Sequence, residues 1–187
     1  MDVTTINHPS PALVPLYVPR AHGMSGQPID GGFTAFYRAE HSSIARALAV
    51  TLGDADLAAE AVDEAMARAY ANWSKVQQME RPAGWVYRVA LNWSRSVLRR
   101  RRTARKVAHH IDITEQPNIG DPAVAAALLE LKVEFRSVVV CRHVFGWSEE
   151  ETANALDIPI GTVKSRLSRA NRQLSQRLAH LDPRSPS

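Results

Sequence analysis

One helix-length stretch near the C-terminus carries positive charge only. Residues 161–180 contain no aspartate or glutamate, and their apolar residues recur at spacings of four, three, four and four, at Val163, Leu167, Ala170, Leu174 and Leu178. In a helix this spacing places the apolar groups on one side. The other side carries Ser165, Ser168, Arg169 and Arg172, flanked by Lys164 and Arg166. A solvated helix usually mixes charges, because intrahelical ion pairs stabilise it. We therefore interpret this face as a surface for phosphates and base edges, with a merely solvated face as the alternative.

A shorter helix should position this basic helix. Ser148 can accept from backbone N–H groups of an opening turn, and Glu151, three residues on, can bond back, which is the pattern of a capping box. The three carboxylates at 149–151 could suggest acid–base catalysis, but capping explains them without a substrate. The helix should end near Leu156, because Ile158 precedes Pro159. Two helices joined by a short turn predict a helix-turn-helix, which enters a DNA groove.

A second basic face is predicted on a helix over residues 83–102. Its core side is formed by Val86, Val89, Ala90, Trp93 and Val97, and the opposite side by Arg88, Asn92, Arg95 and Arg99. The asparagine amide can both donate to and accept from a base edge. The helix ends in four arginines, 99–102, and Arg105 and Lys106 follow. Because like charges this close repel, a polyanionic partner is expected; a membrane surface is the weaker alternative, since no clean apolar face accompanies the run.

An acidic stripe is predicted on the preceding helix, residues 56–73. Its apolar side carries Val62, Met66, Ala69 and Trp73, while another side carries Glu60, Asp63, Glu64 and Arg68. Two interpretations remain open at this point. The stripe is either solvated surface or a docking face for a basic partner.

Composition excludes several classes of protein. The 187 residues include one cysteine, Cys141, so no intramolecular disulfide can form, and its apolar surroundings predict a buried, inert thiol. The seven histidines show no zinc-ligand spacing, and we expect no metal and no cofactor. No apolar run approaches the roughly 18 residues of a membrane span. Since no secretory signal is evident either, we expect a cytoplasmic protein. The formal charge is +4 and the pI about 9.6.

The pattern predicts an all-α protein with two small helical domains joined by a flexible linker. Residues 1–32 contain five prolines and predict a flexible N-terminal tail. The first domain spans 33–106, with one or two helices over 33–52 and a polar loop over 72–82. A connector covers 107–122, and the second domain, 123–180, adds helices over 124–131 and 133–145 before the helix-turn-helix. Residues 181–187 form a second flexible tail.

Three runs carry a resemblance to a known family. They read AEAVDEAMARAY, WVYRVALNWSRSVLRRRR and GTVKSRLSRA. In this order, and across about residues 33–180, the chain resembles bacterial RNA polymerase sigma factors of the sigma-70 family, extracytoplasmic-function (ECF) group. The resemblance implies a promoter-specificity subunit rather than an enzyme, which binds core polymerase at its clamp helices and flap and recognises promoter −10 and −35 elements.

The resemblance also implies roles for the predicted site residues. The clamp helices would bind Glu60, Asp63, Glu64 and Arg68. The melted −10 strand would bind Trp73, Lys75, Arg88, Asn92, Arg95 and Arg99, with an extruded base held near residues 73–82. The double-stranded −35 element would bind Lys164, Ser165, Arg166, Ser168, Arg169 and Arg172, with Arg166 and Arg172 nearer the phosphates.

Three rival functions differ from this one. An autonomous helix-turn-helix transcriptional regulator would bind DNA tightly as a dimer, and it leaves the acidic stripe and the arginine run unexplained. An enzyme acting on nucleic acid would require converging carboxylates, histidines or a metal cluster, for which the sequence offers no candidate. A protein that clamps an inhibitory partner is the third; in the resembled family that role coexists with promoter binding, since anti-sigma factors commonly occlude both domains.

Overall fold

The computed structural model describes residues 31–105 and 121–179, which form eight helices joined by turns and loops, with no β-strand among them. The helices, in chain order, are α1 (Gly31–Leu52), α2 (Ala55–Ala71), α3 (Trp73–Val76), α4 (Pro82–Arg105), α5 (Pro122–Leu129), α6 (Val133–His143), α7 (Glu149–Leu156) and α8 (Ile160–Leu178). The predicted all-α class is confirmed. The predicted tails and connector lie outside the described residues, except at their ends: Gly31 and Gly32 begin α1, Asp121 caps α5 and Pro122 begins it. No described helix has the length and hydrophobicity that a membrane crossing requires.

Local capping explains where several helices begin. The Asp54 side chain accepts from the Leu57 backbone N–H at 2.8 Å, which satisfies one of the free donors of the first turn of α2. At α7 the Glu151 backbone N–H donates to Ser148 Oγ at 3.1 Å, and the Ser148 N–H donates to the Glu151 carboxylate at 2.6 Å. The predicted capping box is therefore confirmed.

The first domain consists of α1 to α4, and its core lies between α1, α2 and α4. Residues 33–52, for which one or two helices were predicted, form a single helix. The predicted apolar side of α2 is buried at Val62, Met66 and Ala69. Helix α2 ends earlier than predicted, at Ala71, because the Asn72 backbone leaves the helical conformation at φ −123°. The side-chain amide of Asn72 donates to the Arg68 carbonyl at 2.9 Å and so caps the helix end. Trp73 instead begins the one-turn helix α3, inside a segment predicted to be loop.

The second domain consists of α5 to α8. The helix predicted over residues 133–145 is present as α6, with Val138 and Val140 buried. Helix α6 ends at His143, two residues before the predicted end, because Gly146 turns the chain at φ +68° and the Trp147 N–H donates back to the Cys141 carbonyl. Helix α7 ends at Leu156 as predicted, and Asp157 takes a left-handed conformation in the turn before α8.

The two domains pack against each other and share one continuous core. Helix α1 contacts α5 and α6, and α4 contacts α7. Tyr87 of α4 is fully buried against Phe145 and Trp147, which lie in the loop between α6 and α7. The surfaces of α4 and of the helix-turn-helix therefore meet in this structure.

Candidate nucleic-acid interface

Helix α8 presents the basic face that its sequence pattern predicts. Val163 and Ala170 are fully buried, whereas the side chains on the other side of the helix are exposed. Five of the six predicted −35 residues lie on this exposed side, namely Lys164, Ser165, Ser168, Arg169 and Arg172. The Glu149 carboxylate lies 3.7 Å from the Lys164 ammonium. An exposed helix face with several cations and two hydroxyl groups can bond both phosphates and base edges.

Arg166 is the sixth predicted −35 residue, and the structure separates it from the other five. It is half-buried and lines a crevice of about 710 Å³ together with Arg95 of α4 and Lys132. Positions 163 and 170 are buried, and residue 166 lies on their side of the helix, three and four residues away. In this conformation Arg166 therefore points toward the first domain.

The buried side of helix α4 differs from the predicted core side. Of the predicted core residues Val86 and Ala90 are fully buried, but Val89, Trp93 and Val97 are only half-buried. The remaining buried positions of α4 are Gly84, Tyr87, Leu91 and Ser94. The predicted core side was incomplete, because the second domain covers a side of α4 that the first domain leaves open.

The predicted −10 residues of α4 are distributed around that covered side. Asn92, Arg95 and Arg99 are exposed, and Arg95 borders the crevice that also contains Arg166. Arg88 is half-buried, and its guanidinium lies 3.7 Å from the Asp157 carboxylate in the turn between α7 and α8. The structure therefore brings part of the predicted −10 face into contact with the second domain.

The other two predicted −10 residues lie on α3. Lys75 is exposed, whereas the Trp73 indole is half-buried against Phe33 and Phe36, at ring-centroid distances of 5.3 and 5.0 Å. Its Nε1–H is buried with no hydrogen-bond partner in the part of the chain that the structure describes. The sequence pattern already placed Trp73 on an apolar side, but it could not indicate these partners, since Phe33 lies forty residues earlier.

The acidic stripe on α2 is largely exposed and partly neutralised. Glu60 and Asp63 are exposed, and the Asp63 carboxylate accepts from the His41 ring of α1, with Nε2 and Oδ1 2.7 Å apart. Arg68 donates to the Glu64 carboxylate at 2.8 Å, one helical turn away. The predicted four residues thus share a surface with His41, which the sequence could not indicate across 22 positions.

Burial shifts the protonation equilibria of Cys141 and Tyr87. Burial raises the pKa of the Cys141 thiol far above its usual range, so the thiol stays neutral, as expected for the predicted inert cysteine. Burial likewise raises the pKa of the Tyr87 phenol, because the phenolate would lose its hydration. Neither group offers a nucleophile at neutral pH.

Together the fold and these surfaces define a class of protein. Two helical domains each present a basic face, the second within a helix-turn-helix, and the first adds an acidic surface that DNA would repel. Such a chain is a DNA-binding transcription protein.

Comparison with known proteins identifies the family. Residues 122–174 match the family described as Sigma-70, region 4. The ECF RNA polymerase sigma factor SigL of Mycobacterium tuberculosis is 33% identical over 156 residues, which cover 76% of this chain and 86% of SigL. The RNA polymerase sigma-E factor of Streptomyces coelicolor is 31% identical over 157 residues, covering 80% and 88%. A solved structure of the sigma factor RpoE with the anti-sigma factor NepR, from Bartonella quintana, has the same fold, with a TM-score of 0.67 at 20% identity over 79% of this chain and 97% of RpoE.

The chain belongs to the ECF group of sigma-70 family RNA polymerase sigma factors. It directs promoter-specific transcription initiation, and its family consists of transcription regulators that are not enzymes. The resemblance predicted from the three sequence runs is confirmed. The autonomous helix-turn-helix regulator is not favoured by these comparisons.

Proposed function

We propose that α8 binds the −35 element and that α4 with α3 binds the melted −10 element. The exposed face of α8, which lacks any carboxylate over residues 161–180, is the single observation that best supports the assignment. Its five exposed residues Lys164, Ser165, Ser168, Arg169 and Arg172 would face the major groove, and Arg166 would join them at the phosphates once the crevice opens. Residues Trp73, Lys75, Arg88, Asn92, Arg95 and Arg99 would contact the −10 strand.

We further propose that the acidic stripe is the docking surface for the polymerase clamp helices. Glu60 and Asp63 supply exposed negative charge. On the same helix, the ion pair between Glu64 and Arg68 holds these two side chains in place. Such a surface favours a basic partner and disfavours DNA, which keeps the two kinds of contact apart. The second domain would contact the polymerase flap.

The proposal also includes the domain bounds, the cellular location and a further partner. The proposed domain bounds are 33–106 and 123–180, with 107–122 as connector and 1–32 and 181–187 as tails. The chain acts in the cytoplasm and has no catalytic activity of its own. An anti-sigma factor is a candidate partner, because the related sigma factor RpoE was solved in complex with one.

Reconstituted run-off transcription tests this proposal. The full chain is mixed with sigma-free bacterial core polymerase and a library of promoter fragments. Initiation that depends on the chain and selects −10 and −35 sequences supports the proposal and supplies both motifs. Tight, polymerase-independent DNA binding without initiation would instead favour an autonomous regulator and make the acidic stripe solvated surface.

A further inference from the structure

Three aromatic side chains meet on the surface where α1 begins and α2 ends. The Phe33 ring lies 6.2 Å from the Tyr37 ring and 5.1 Å from the Tyr70 ring, measured between centroids. Trp73 contacts the same Phe33 edge-on at 5.3 Å. Because both tyrosines contact Phe33, the three rings Phe33, Tyr37 and Tyr70 form one continuous surface, which we call the aromatic patch.

The aromatic patch is open to solvent. Tyr37 is 38% exposed and Tyr70 39% exposed, and Phe33 between them is half-buried. Single exposed apolar side chains are common on protein surfaces, but contiguous ones mark sites of interaction. The aromatic patch is therefore a surface that another segment or molecule can cover.

The chain enters the fold at this patch. Helix α1 begins at Gly31, two residues before Phe33, so the 30 preceding residues are tethered at the edge of the patch. Those residues lie outside the part of the chain that the structure describes, but their sequence includes the uncharged segment PSPALVPLYVP, residues 9–19. The stretch from Pro19 to Gly31 reaches up to roughly 40 Å when extended. This reach is several times the ring separations in the patch, so the segment can return to it.

Residues 9–19 have the composition that aromatic surfaces bind. The segment contains four prolines, separated by apolar residues such as Leu13 and Leu16. Proline-rich segments dock on surfaces lined with aromatic side chains, because their restricted backbone loses little entropy on binding. Such docking needs no α-helix, so it is compatible with a proline content that disfavours one. The patch and the segment are thus chemically complementary.

We propose that residues 9–19 dock on the aromatic patch of the same chain and cover Tyr37 and Tyr70. The tether makes a modest contact sufficient. At an effective concentration of the order of 1 mM, a contact with a dissociation constant of about 0.1 mM is roughly 90% formed.

The docked segment borders the acidic stripe. The Tyr37 ring packs on His41 with centroids 4.7 Å apart, and His41 in turn bonds to Asp63. The docking itself does not depend on the function proposed for that stripe, since it uses uncharged groups on both sides.

Fluorine NMR of the full chain tests the inference. The chain contains four tyrosines, namely Tyr17 in the segment, Tyr37 and Tyr70 in the patch, and the fully buried Tyr87 of α4. Incorporated 3-fluorotyrosine therefore places one signal in the segment, two in the patch and one in the core as an internal control. Replacement of each tyrosine by phenylalanine assigns the signals.

The first variant removes the segment's affinity without touching the helices. Leu13→Asp/Leu16→Asp places two charges in the apolar segment, so Tyr37 and Tyr70 should become uncovered. Broadening of their signals by a neutral gadolinium chelate should then increase severalfold relative to the natural chain, while the Tyr87 signal stays unchanged. Thr4→Asp/Thr5→Asp adds the same charge outside the segment and should leave all broadening as it is.

A second variant examines the same contact from the patch. Tyr70→Gln should release the segment, so the Tyr17 signal should move to its position in an isolated peptide of residues 9–19. The Tyr87 signal of this variant reports whether the fold is retained.

Three results would overturn the inference. Equal broadening of the Tyr37 and Tyr70 signals in the natural chain and in Leu13→Asp/Leu16→Asp would mean that the patch is open and left for a partner protein. A Tyr17 signal that already lies at the peptide position in the natural chain would mean that the segment is unbound. A Tyr17 shift that grows with protein concentration would make a second copy of the chain the occupant. Neither polymerase nor DNA is present, so each result is independent of the proposed function.

Discussion

The hydroxyl group of Tyr87 makes one buried hydrogen bond whose direction the structure defines. The Thr51 hydroxyl donates to the Ala47 carbonyl at 2.9 Å, and its oxygen lies 2.6 Å from the Tyr87 hydroxyl oxygen. Since the Thr51 proton is already used, the Tyr87 hydroxyl must be the donor. Both side chains are fully buried, so neither can replace the bond with water.

The direction of this bond predicts unequal costs for its two partners. Tyr87→Phe removes the donor and leaves Thr51 bonded to Ala47, so the loss should be that of one neutral hydrogen bond, about 1 kcal/mol in the free energy of unfolding. Thr51→Val removes the acceptor and leaves the Tyr87 hydroxyl buried without a partner, which costs about 1–3 kcal/mol. The double variant should cost less than the sum, because the unpaired hydroxyl is gone.

Urea unfolding followed by circular dichroism measures the free energy of unfolding of the natural chain, the two single variants and the double variant, which together form a double-mutant cycle. At a chain length of this order, 1 kcal/mol corresponds to a shift in melting temperature of about 2–4 °C. The pH dependence provides a second measurement. Because burial raises the folded-state pKa of Tyr87 above its unfolded value of about 10, its contribution to stability is complete below that pH and is lost as the pH rises further. The stability advantage of the natural chain over Tyr87→Phe should therefore shrink above about pH 10.

Two results would refute this reasoning. If Tyr87→Phe cost clearly more than Thr51→Val, the assignment of donor and acceptor would be wrong. If the costs were strictly additive in the double variant, the two hydroxyl groups would not be coupled, and the contact between α1 and α4 would have to be explained by packing alone.

Three further predictions concern the proposed surfaces and one backbone turn. Arg169→Ala should weaken binding to the −35 element by about 1–3 kcal/mol in a promoter competition assay. Gln176→Ala, a change at an exposed position further along α8, is the control and should leave this affinity unaltered. The assignment would be contradicted if Arg169→Ala did not change transcription from promoters with altered −35 sequences. Asp63→Lys combined with Glu64→Lys should abolish co-purification with core polymerase and leave circular dichroism unchanged, and undiminished co-purification would remove the docking role. Gly146→Ala should lower the free energy of unfolding by about 1–2 kcal/mol, because Gly146 has a φ of +68°, which an L side chain rarely adopts. No neighbour lies within 4 Å of the added Cβ, so the cost would come from the backbone conformation and not from a clash. Urea unfolding measures it, and no loss of stability would mean that the turn tolerates side chains.

Features fixed by near neighbours in the chain could be predicted from the sequence. The capping box at Ser148 and Glu151 and the end of α7 at Leu156 depend on contacts within four residues or on a following proline. The apolar side of α8 follows from helical periodicity in the same way. In each case the deciding interaction is local, so residue type and spacing contain it.

Features fixed by contacts between domains could not be predicted in this way. Tyr87 contacts Phe145 across 58 positions, and no periodicity within α4 distinguishes that side from a solvent-facing one. Arg166 was grouped with the DNA-facing residues because angular position on α8 does not reveal where α4 lies. The sequence shows Arg136 just before three consecutive valines, but the carbonyls that accept its hydrogen bonds come from α1 and from the end of α5 and its following loop.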